Sequence, residues 1–191
     1  MKAEAVVQLP DFDRSKTTNR DISPSQASVT IHSAESNSSH KTDVLGASEM
    51  FWGFENPYRK GLIINARSET AREKNLFSES IARRRCVIPA SGFYEWDRYK
   101  ARYRFTLPGK ELIFFAGFYR EEYGANRYTI LTTEANDSMI KVHDRMPVLI
   151  SRDEIRPWIY NDAKLTEFLG RKQPELICEQ DSGQIRMDFG L

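Results

Sequence analysis

Short apolar segments alternate with turn residues from residue 86 to residue 133, and this pattern constrains the fold more than any other part of the chain. Pro108 and Gly109 form one turn, and the triplet Gly124-Ala125-Asn126 forms another. The segments between such turns are predicted to be strands: 86–89, 92–97, 103–107, 112–119 and 128–133. Because few helices separate them, the sequence favours an antiparallel sheet or barrel over a parallel doubly wound sheet. The predicted fold class is therefore α+β, with mainly antiparallel strands in a barrel-like sheet core and a few flanking helices.

Weaker patterns predict the remaining strands and loops. Residues 27–34 alternate apolar and polar side chains, as a half-buried strand does, and the Ser-rich and Asn-rich stretch 35–48 is typical of a flexible loop. Residues 1–22 are polar and predicted to be loosely held. Further short strands are expected at 50–54, 61–65, 148–150, 176–178 and 185–189. The whole chain, 1–191, is interpreted as a single domain.

One clear helix and two shorter helices are also predicted. Residues 70–84 carry apolar side chains at helical spacing, and Thr70 with Glu73 forms the pattern of a capping box at the start. The arginine run at the end of this segment suits the negative end of the helix dipole. The first shorter helix is predicted to begin at a second capping-box pattern, Ser151 with Glu154. The second is bracketed by Asp162 as its cap and Gly170 as its end.

Composition and charge limit the possible functions. The two cysteines form no CxxC pair, so we expect neither a metal site nor a cofactor. No segment approaches the ~20 apolar residues of a membrane helix, and we expect a cytoplasmic protein that does not enter membranes. Residues 58–104 hold 12 Lys and Arg against 5 acids, a balance of +7 in a chain of net charge +1. Such a segment can supply phosphate contacts, although a solvated helix face and a charged edge strand explain it equally simply.

Three polar patterns carry the candidate chemistry, and the first is INARSET at 64–70. Asn65 offers both a hydrogen-bond donor and an acceptor, and Arg67 offers a planar fork that suits phosphate or carboxylate. The alternative is structural: Asn65 closes a turn and Arg67 pairs with Glu69.

The second pattern is RCVIPASGFYEW at 85–96, which places Glu95 inside an aromatic strand. Alternation puts Phe93 and Glu95 on one face and Tyr94 and Trp96 on the other. Burial of such a carboxylate raises its pKa toward values useful in proton transfer. A half-exposed strand glutamate is the alternative interpretation.

The third pattern is VHDRMP at 142–147, which contains His143, one of three histidines. A loop histidine beside Asp144 and Arg145 can be oriented for proton transfer, although a simple turn histidine is the alternative.

These patterns together resemble one known family. The ordered motifs INAR-ET, RC-IPA followed by FYEW, and TTEANDSMIKVHDRMP at 132–147 are similar to those of the SOS response-associated peptidase (SRAP) domain. SPSQ at 23–26 and FWGF at 51–54 also resemble motifs of this family, so the resemblance runs from about residue 23 to residue 158.

The resemblance implies recognition of abasic sites in single-stranded DNA and a covalent thiazolidine cross-link to the opened sugar through an N-terminal cysteine. Asn65 would position the N-terminal residue and the sugar, Glu95 would hold the α-amine and move its proton, and His143 would be the acid or base that opens the sugar ring. It also implies a monomer that is nucleoid-associated when bound to DNA. DNA contacts are expected from Arg67, Trp52, Pro24 and Arg145, with Phe54 and Tyr58 as further candidates for base stacking.

The start of the chain departs from the family pattern. It reads Met1-Lys2-Ala3-Glu4 in place of Met-Cys-Gly-Arg. One hypothesis is a truncated N-terminus that has lost the cysteine, and the other is a non-cross-linking binder of single-stranded or abasic DNA. A protease triad of Cys86, His143 and Glu95 is a third, less favoured hypothesis, because Cys86 lies inside a predicted strand and is expected to be buried.

Overall fold

The computed structural model describes residues 21–34, 44–110 and 112–181. Within these ranges it contains three α-helices, α1 (Asn75–Arg83), α2 (Ile155–Tyr160) and α3 (Leu165–Gly170). The strands are β1 (Ala27–Ser33), β2 (Leu45–Trp52), β3 (Phe54–Glu55), β4 (Leu62–Ile63), β5 (Asn65–Arg67), β6 (Arg85–Ala90), β7 (Phe93–Trp96), β8 (Arg102–Thr106), β9 (Ile113–Glu122), β10 (Ala125–Glu134), β11 (Arg145–Pro147), β12 (Leu149–Ile150) and β13 (Ile177–Gln180). No described helix is long and apolar enough to cross a membrane.

Five of these strands close into a barrel in the order β1, β2, β10, β9, β6 and back to β1. Four of the five pairings are antiparallel, and the β2–β10 pairing is parallel. An odd number of strands cannot close with antiparallel pairs alone, so at least one parallel pair is required. Closure removes the free edges that an open sheet would leave. The predicted α+β fold with a barrel-like core is confirmed.

Strand β10 extends beyond the barrel and carries two short strands on its far end. Residues Ile130–Thr132 of β10 pair in parallel with β5, and Thr132–Glu134 pair antiparallel with β11. Because β5 contains Asn65 and β11 follows His143, one end of β10 brings the first and third polar patterns to the same region of the protein.

A second, three-stranded sheet has the order β13-β8-β7 and presents Glu95. Phe93 of β7 stacks on Phe105 of β8 with ring centroids 5.1 Å apart, and its edge meets Phe115 of the barrel at 5.8 Å. These aromatic contacts hold the hairpin against the barrel. Phe93 and Glu95 share a face, as their alternation predicts.

The three helices cover one side of the barrel. Phe77 and Ile81 of α1 and Trp158 of α2 are almost completely buried against it. The indole of Trp158 donates to the backbone oxygen of Cys86 at 2.9 Å. The buried guanidinium of Arg85 donates to carbonyls in the last turns of α1 and α2, so the predicted interaction of the arginine run with the helix end is made mainly by this residue.

The long helix begins later than predicted. It starts at Asn75, and residues 68–73 form turns. The predicted capping box is wrong, because the hydroxyl of Thr70 is buried without a hydrogen-bond partner in the described ranges. Glu69, which lies in these turns just before the predicted start, forms an ion pair with Arg145.

Two other local predictions are corrected and one is confirmed. The predicted loop 35–48 is wrong at its end, since residues 45–48 belong to β2 and pair with β1, while 35–43 lie outside the described residues. The cap before the last helical segment is Asn161, whose side chain accepts from Ala163 N, and not Asp162. The capping box of Ser151 and Glu154 is present. The predicted strand 185–189 and residues 1–20 also lie outside the described ranges.

Candidate functional site

Glu95, on a strand of the three-stranded sheet, and His143, in the turn before β11, interact electrostatically. Glu95 lies on β7, which is half buried, and His143 precedes β11. Burial raises the pKa of the Glu95 carboxyl, and the charge of His143 and the backbone N–H of Trp96 offset only part of this effect. Glu95 therefore keeps its proton to a higher pH than an ordinary glutamic acid, which suits a group that must give and take a proton.

The His143 ring is held through one nitrogen. The backbone N–H of Arg145 donates to Nδ1 at 3.0 Å, and the Arg145 carbonyl oxygen lies 3.1 Å from the same atom. The Asp144 carboxylate is also 3.5 Å from Nδ1. Neutral Nδ1 can accept from the N–H, and protonated Nδ1 can donate to the carbonyl, so the turn accommodates either state. Nε2 has no hydrogen bond to any described residue and is free to serve a ligand.

Asn65 and Arg67 point to the exposed side of β5. The residue between them, Ala66, is buried, so strand alternation places both polar side chains on one face. Neither side chain has a hydrogen bond or ion pair to any residue in 21–34, 44–110 or 112–181. The predicted alternative, an ion pair of Arg67 with Glu69, is not formed. Both groups therefore remain available to a ligand.

Arg145 already has partners. Its Nη1 and Nη2 donate to the two oxygens of Glu69 at 2.9 and 2.7 Å, and Nη2 donates also to the carbonyl of Thr132 at 2.7 Å. The side chain is only 16% exposed. Its use as a DNA contact stays a prediction. Sequence reading missed the part played by Glu69, although the ET of the INAR-ET motif contains this residue.

Trp52 and Pro24 lie close together. The exposed turn that contains Pro24 is closed by Gln26 N donating to Ser23 O, and Ser25 N donates to the carbonyl of Trp52 at 2.8 Å. Trp52 is half buried: its ring lies parallel to that of Tyr128 with centroids 6.5 Å apart. Its indole N–H donates to the carbonyl oxygen of Ile64 at 3.0 Å.

The other two stacking candidates differ sharply. Phe54 is completely buried in the core, so the expectation that it stacks on a base is wrong, whereas Tyr58 is 86% exposed.

Cys86 does not complete a protease triad. The residue is fully buried on β6, and burial strongly raises the pKa of its thiol. A thiol that is neutral and shielded from solvent is a poor nucleophile. Among the described residues, no group of three His, Cys, Asp or Glu side chains is placed to hold a metal ion.

Comparisons of the sequence and of the fold with known proteins point to the same family. The sequence matches the family described as SOS response associated peptidase (SRAP) over residues 2–182. Abasic site processing protein YoaM of Bacillus subtilis is 36% identical over an alignment of 152 residues that covers 72% of this chain and 64% of YoaM, so the chain spans just under two thirds of that relative. Abasic site processing protein YoqW of the same bacterium is 36% identical over an alignment of 165 residues that covers 79% of this chain and 70% of YoqW.

A solved structure agrees with the fold. The crystal structure of a phage-related protein from Bordetella bronchiseptica superposes with a TM-score of 0.68 at 25% identity, covering 83% of this chain and 79% of that one. Together with the match over residues 2–182, these similarities show that the chain belongs to the SOS response associated peptidase (SRAP) family.

Proposed function

We propose that this chain binds DNA at abasic sites, and that Asn65, Glu95 and His143 surround the sugar that has lost its base. The observation that carries the proposal is the electrostatic interaction of Glu95, a carboxyl of raised pKa on β7, with the imidazole of His143 in the turn before β11. Such a pair favours proton transfer at a reacting sugar. The relatives named above are abasic site processing proteins, which supports DNA with abasic sites as the ligand.

The chemistry follows from the ligand. An abasic sugar exchanges between a closed ring and an open aldehyde, and opening requires a proton to leave the hydroxyl on C1 and another to reach the ring oxygen. His143 is suited to this exchange because Nδ1 is held by the turn while Nε2 is free. An amine that attacks the aldehyde forms an imine and releases water, and Glu95 can accept the proton that the amine loses. Asn65 can hold the sugar hydroxyls through its amide.

The DNA backbone is assigned to the face that carries Arg67. This guanidinium is exposed and has no partner among the described residues, so it can contact a phosphate without losing an existing ion pair. A single strand is the preferred form of DNA, because the aldehyde must leave a base stack to reach Glu95 and His143. The exposed ring of Tyr58 is a candidate to stack on a neighbouring base.

Binding is tested by fluorescence anisotropy with two labelled single strands that differ only in one abasic site. We expect tighter binding of the abasic strand. Arg67→Ala weakens binding and lowers the slope of log K against log salt by about 1, as expected for one phosphate contact. Arg152→Ala, which removes an exposed arginine in the helical turn after β12, leaves both unchanged. Equal affinity for the two strands would reduce the function to general binding of single-stranded DNA.

Covalent attachment is the finer part of the proposal and needs its own test. A thiazolidine requires a thiol and a free α-amine on the same residue, whereas the nitrogens of Cys86 and Cys178 lie in peptide bonds. The chain is incubated with abasic DNA, with and without an added Met-Cys-Gly-Arg extension, and then denatured by heat. A heat-stable adduct with the extended chain supports the cross-linking reaction. Its absence, with the extended chain still bound to abasic DNA, refutes that reaction and leaves binding intact.

A further inference from the structure

Glu69 connects the segment after β5 to Arg145 at the start of β11. Its two carboxylate oxygens accept from Arg145 Nη1 at 2.9 Å and from Nη2 at 2.7 Å. The hydroxyl of Thr133 lies 3.4 Å from the first of these oxygens. A two-pronged pair of this kind fixes the orientation of the arginine as well as its distance.

This ion pair lies at the end of β10 that organises the site. Thr132 of β10 pairs with Arg67 of β5 on one side and with Pro147 of β11 on the other. Arg145 Nη2 donates to the Thr132 carbonyl at 2.7 Å while it also holds Glu69. One guanidinium therefore joins the segment after β5, the end of β10 and the start of β11.

Arg145 is in turn the residue that holds the His143 ring. The Arg145 N–H donates to Nδ1 at 3.0 Å, and the Arg145 carbonyl lies 3.1 Å from the same nitrogen. Any shift of the Arg145 backbone must move this pair of contacts. The orientation of the imidazole consequently depends on how firmly Arg145 is held.

The burial of Arg145 makes Glu69 important for that placement. The Arg145 side chain is 16% exposed, and its Nε is buried without a partner in the described ranges. Without Glu69, this guanidinium would keep only the Thr132 carbonyl, and a poorly solvated charge without a counter-ion is costly. The segment would then move until water reached the charge. The hydrogen bond from Arg145 holds the pKa of Glu69 below its ordinary value, so the carboxylate is charged at neutral pH.

We propose that Glu69 is a positioning residue for His143: acting through Arg145, it holds the imidazole in one orientation with Nδ1 on the turn and Nε2 available to the ligand. The role in DNA processing rests on the proposed function, whereas the effect on the ring does not.

Nuclear magnetic resonance of the full chain labelled with ¹⁵N-histidine tests the effect directly. Long-range ¹H–¹⁵N spectra report which ring nitrogen carries the proton, and His143→Gln identifies the signals of this residue among the three histidines. At alkaline pH we expect one tautomer of neutral His143 to dominate, because the ring is held in one orientation. In Glu69→Gln we expect the loss of that single form, with both nitrogen shifts moving toward the average of a mobile ring.

Glu73→Gln is the matched control, because it makes the same chemical change at an exposed position four residues away. It is expected to leave the His143 signals unchanged. If Glu69→Gln is folded and its His143 signals coincide with those of the wild type, the proposal is wrong.

Arg145→Lys decides the matter if Glu69→Gln does not fold. Lysine keeps the charge but cannot hold Glu69 with two donors and reach Thr132 as well, so the same spectral change is expected in smaller degree. An unchanged spectrum in this variant overturns the proposal. Binding of abasic DNA, measured on the same samples, is a separate readout: loss of the single His143 form in Glu69→Gln supports the positioning role even if the wild type fails to bind.

Discussion

Arg85 is predicted to be the charged residue whose loss most destabilises the fold. Its side chain is 3% exposed, and it donates to backbone carbonyls in the last turns of two helices, Ile81 and Ala82 in α1 and Trp158 and Ile159 in α2. In Arg85→Met the apolar volume is largely kept, but these carbonyls lose the hydrogen bonds that the guanidinium donates. The variant therefore separates the hydrogen bonds from the packing.

The magnitude follows from which partners stay buried. The carboxylate that also pairs with Arg85, Asp162, is 80% exposed and returns to water at little cost. The carbonyl of Ala82 is at an exposed residue and can also return to water, but those of Ile81, Trp158 and Ile159 are in buried hydrogen bonds and cannot. Each unsatisfied buried group costs about 1–3 kcal/mol, with incomplete additivity. We expect Arg85→Met to lower the free energy of unfolding by about 3–5 kcal/mol, the range for breaking a buried charged network.

Urea unfolding followed by circular dichroism measures this difference, with Arg84→Met as the control. Arg84 is 34% exposed and pairs with the exposed Glu79 at 3.0 Å, so its loss is expected to cost less than about 1 kcal/mol. If Arg85→Met is as stable as Arg84→Met, the hydrogen bonds to the helix ends contribute nothing and the reasoning is refuted. If Arg85→Met is not recovered folded, Arg85→Lys is measured and is expected to lie between the two.

Three further predictions concern packing and pH. A Cβ at Gly117 would lie 2.7 Å from both a side-chain carbon and a backbone oxygen, whereas one at Gly170 would meet nothing within 4 Å. Gly117→Ala is therefore expected to cost about 1–3 kcal/mol in urea unfolding, and Gly170→Ala is expected to be neutral or slightly stabilising. Burial raises the pKa of Glu95, so its charged form destabilises the fold at pH values above the ordinary pKa of 4.5. Glu95→Gln is therefore expected to raise the melting temperature at neutral pH. This gain should vanish as the pH falls below 4.5. An equal gain at all pH values would contradict this. Burial opposes ionisation of Glu154 too, but the hydrogen bond from Arg171 and those of the capping box lower its pKa from 4.5 to about 2. The resulting stabilisation, about 1 kcal/mol once solvent screening of this partly exposed pair is counted, is present above pH 4.5 and is lost as the pH falls toward 2. Glu154→Gln removes this part of the acid transition, which thermal melts across that range can detect.

The strands were predictable from the sequence because their signals are local. Alternation and turn residues mark β7, β8 and β9 within a few residues of their observed ends. The parallel β2–β10 pair was not predictable in the same way, since it joins Phe51 to Arg127 and no local pattern records that contact. The start of α1 was wrong for a related reason. Residues 68–73 form turns in place of the predicted first helical turn, and Glu69 in these turns binds a partner that lies 76 residues away in the sequence.

The candidate site was predictable as a set of residues and less so as an arrangement. Asn65, Glu95 and His143 were singled out by residue chemistry and by ordered motifs. The face shared by Phe93 and Glu95 followed from alternation, because the strand period is fixed. The pairing of Glu69 with Arg145 could not be derived, because Arg67 offered an equally charged and nearer partner. Phe54 was misjudged since an aromatic residue next to an exposed segment carries no local sign of burial.

The place of β10 in the barrel has a consequence for the order in which the protein folds. Until residues 125–134 have emerged from the ribosome, both β2 and β9 lack the neighbour that closes the barrel. Loop closure over so long a stretch is slow, and the unpaired edges are exposed to other chains in the meantime. Because β5 and β11 attach to the same strand, the candidate site cannot be complete before β10 is in place. A chain that lacks β10 therefore has neither the strand that carries β5 and β11 nor a closed barrel beneath Asn65 and His143.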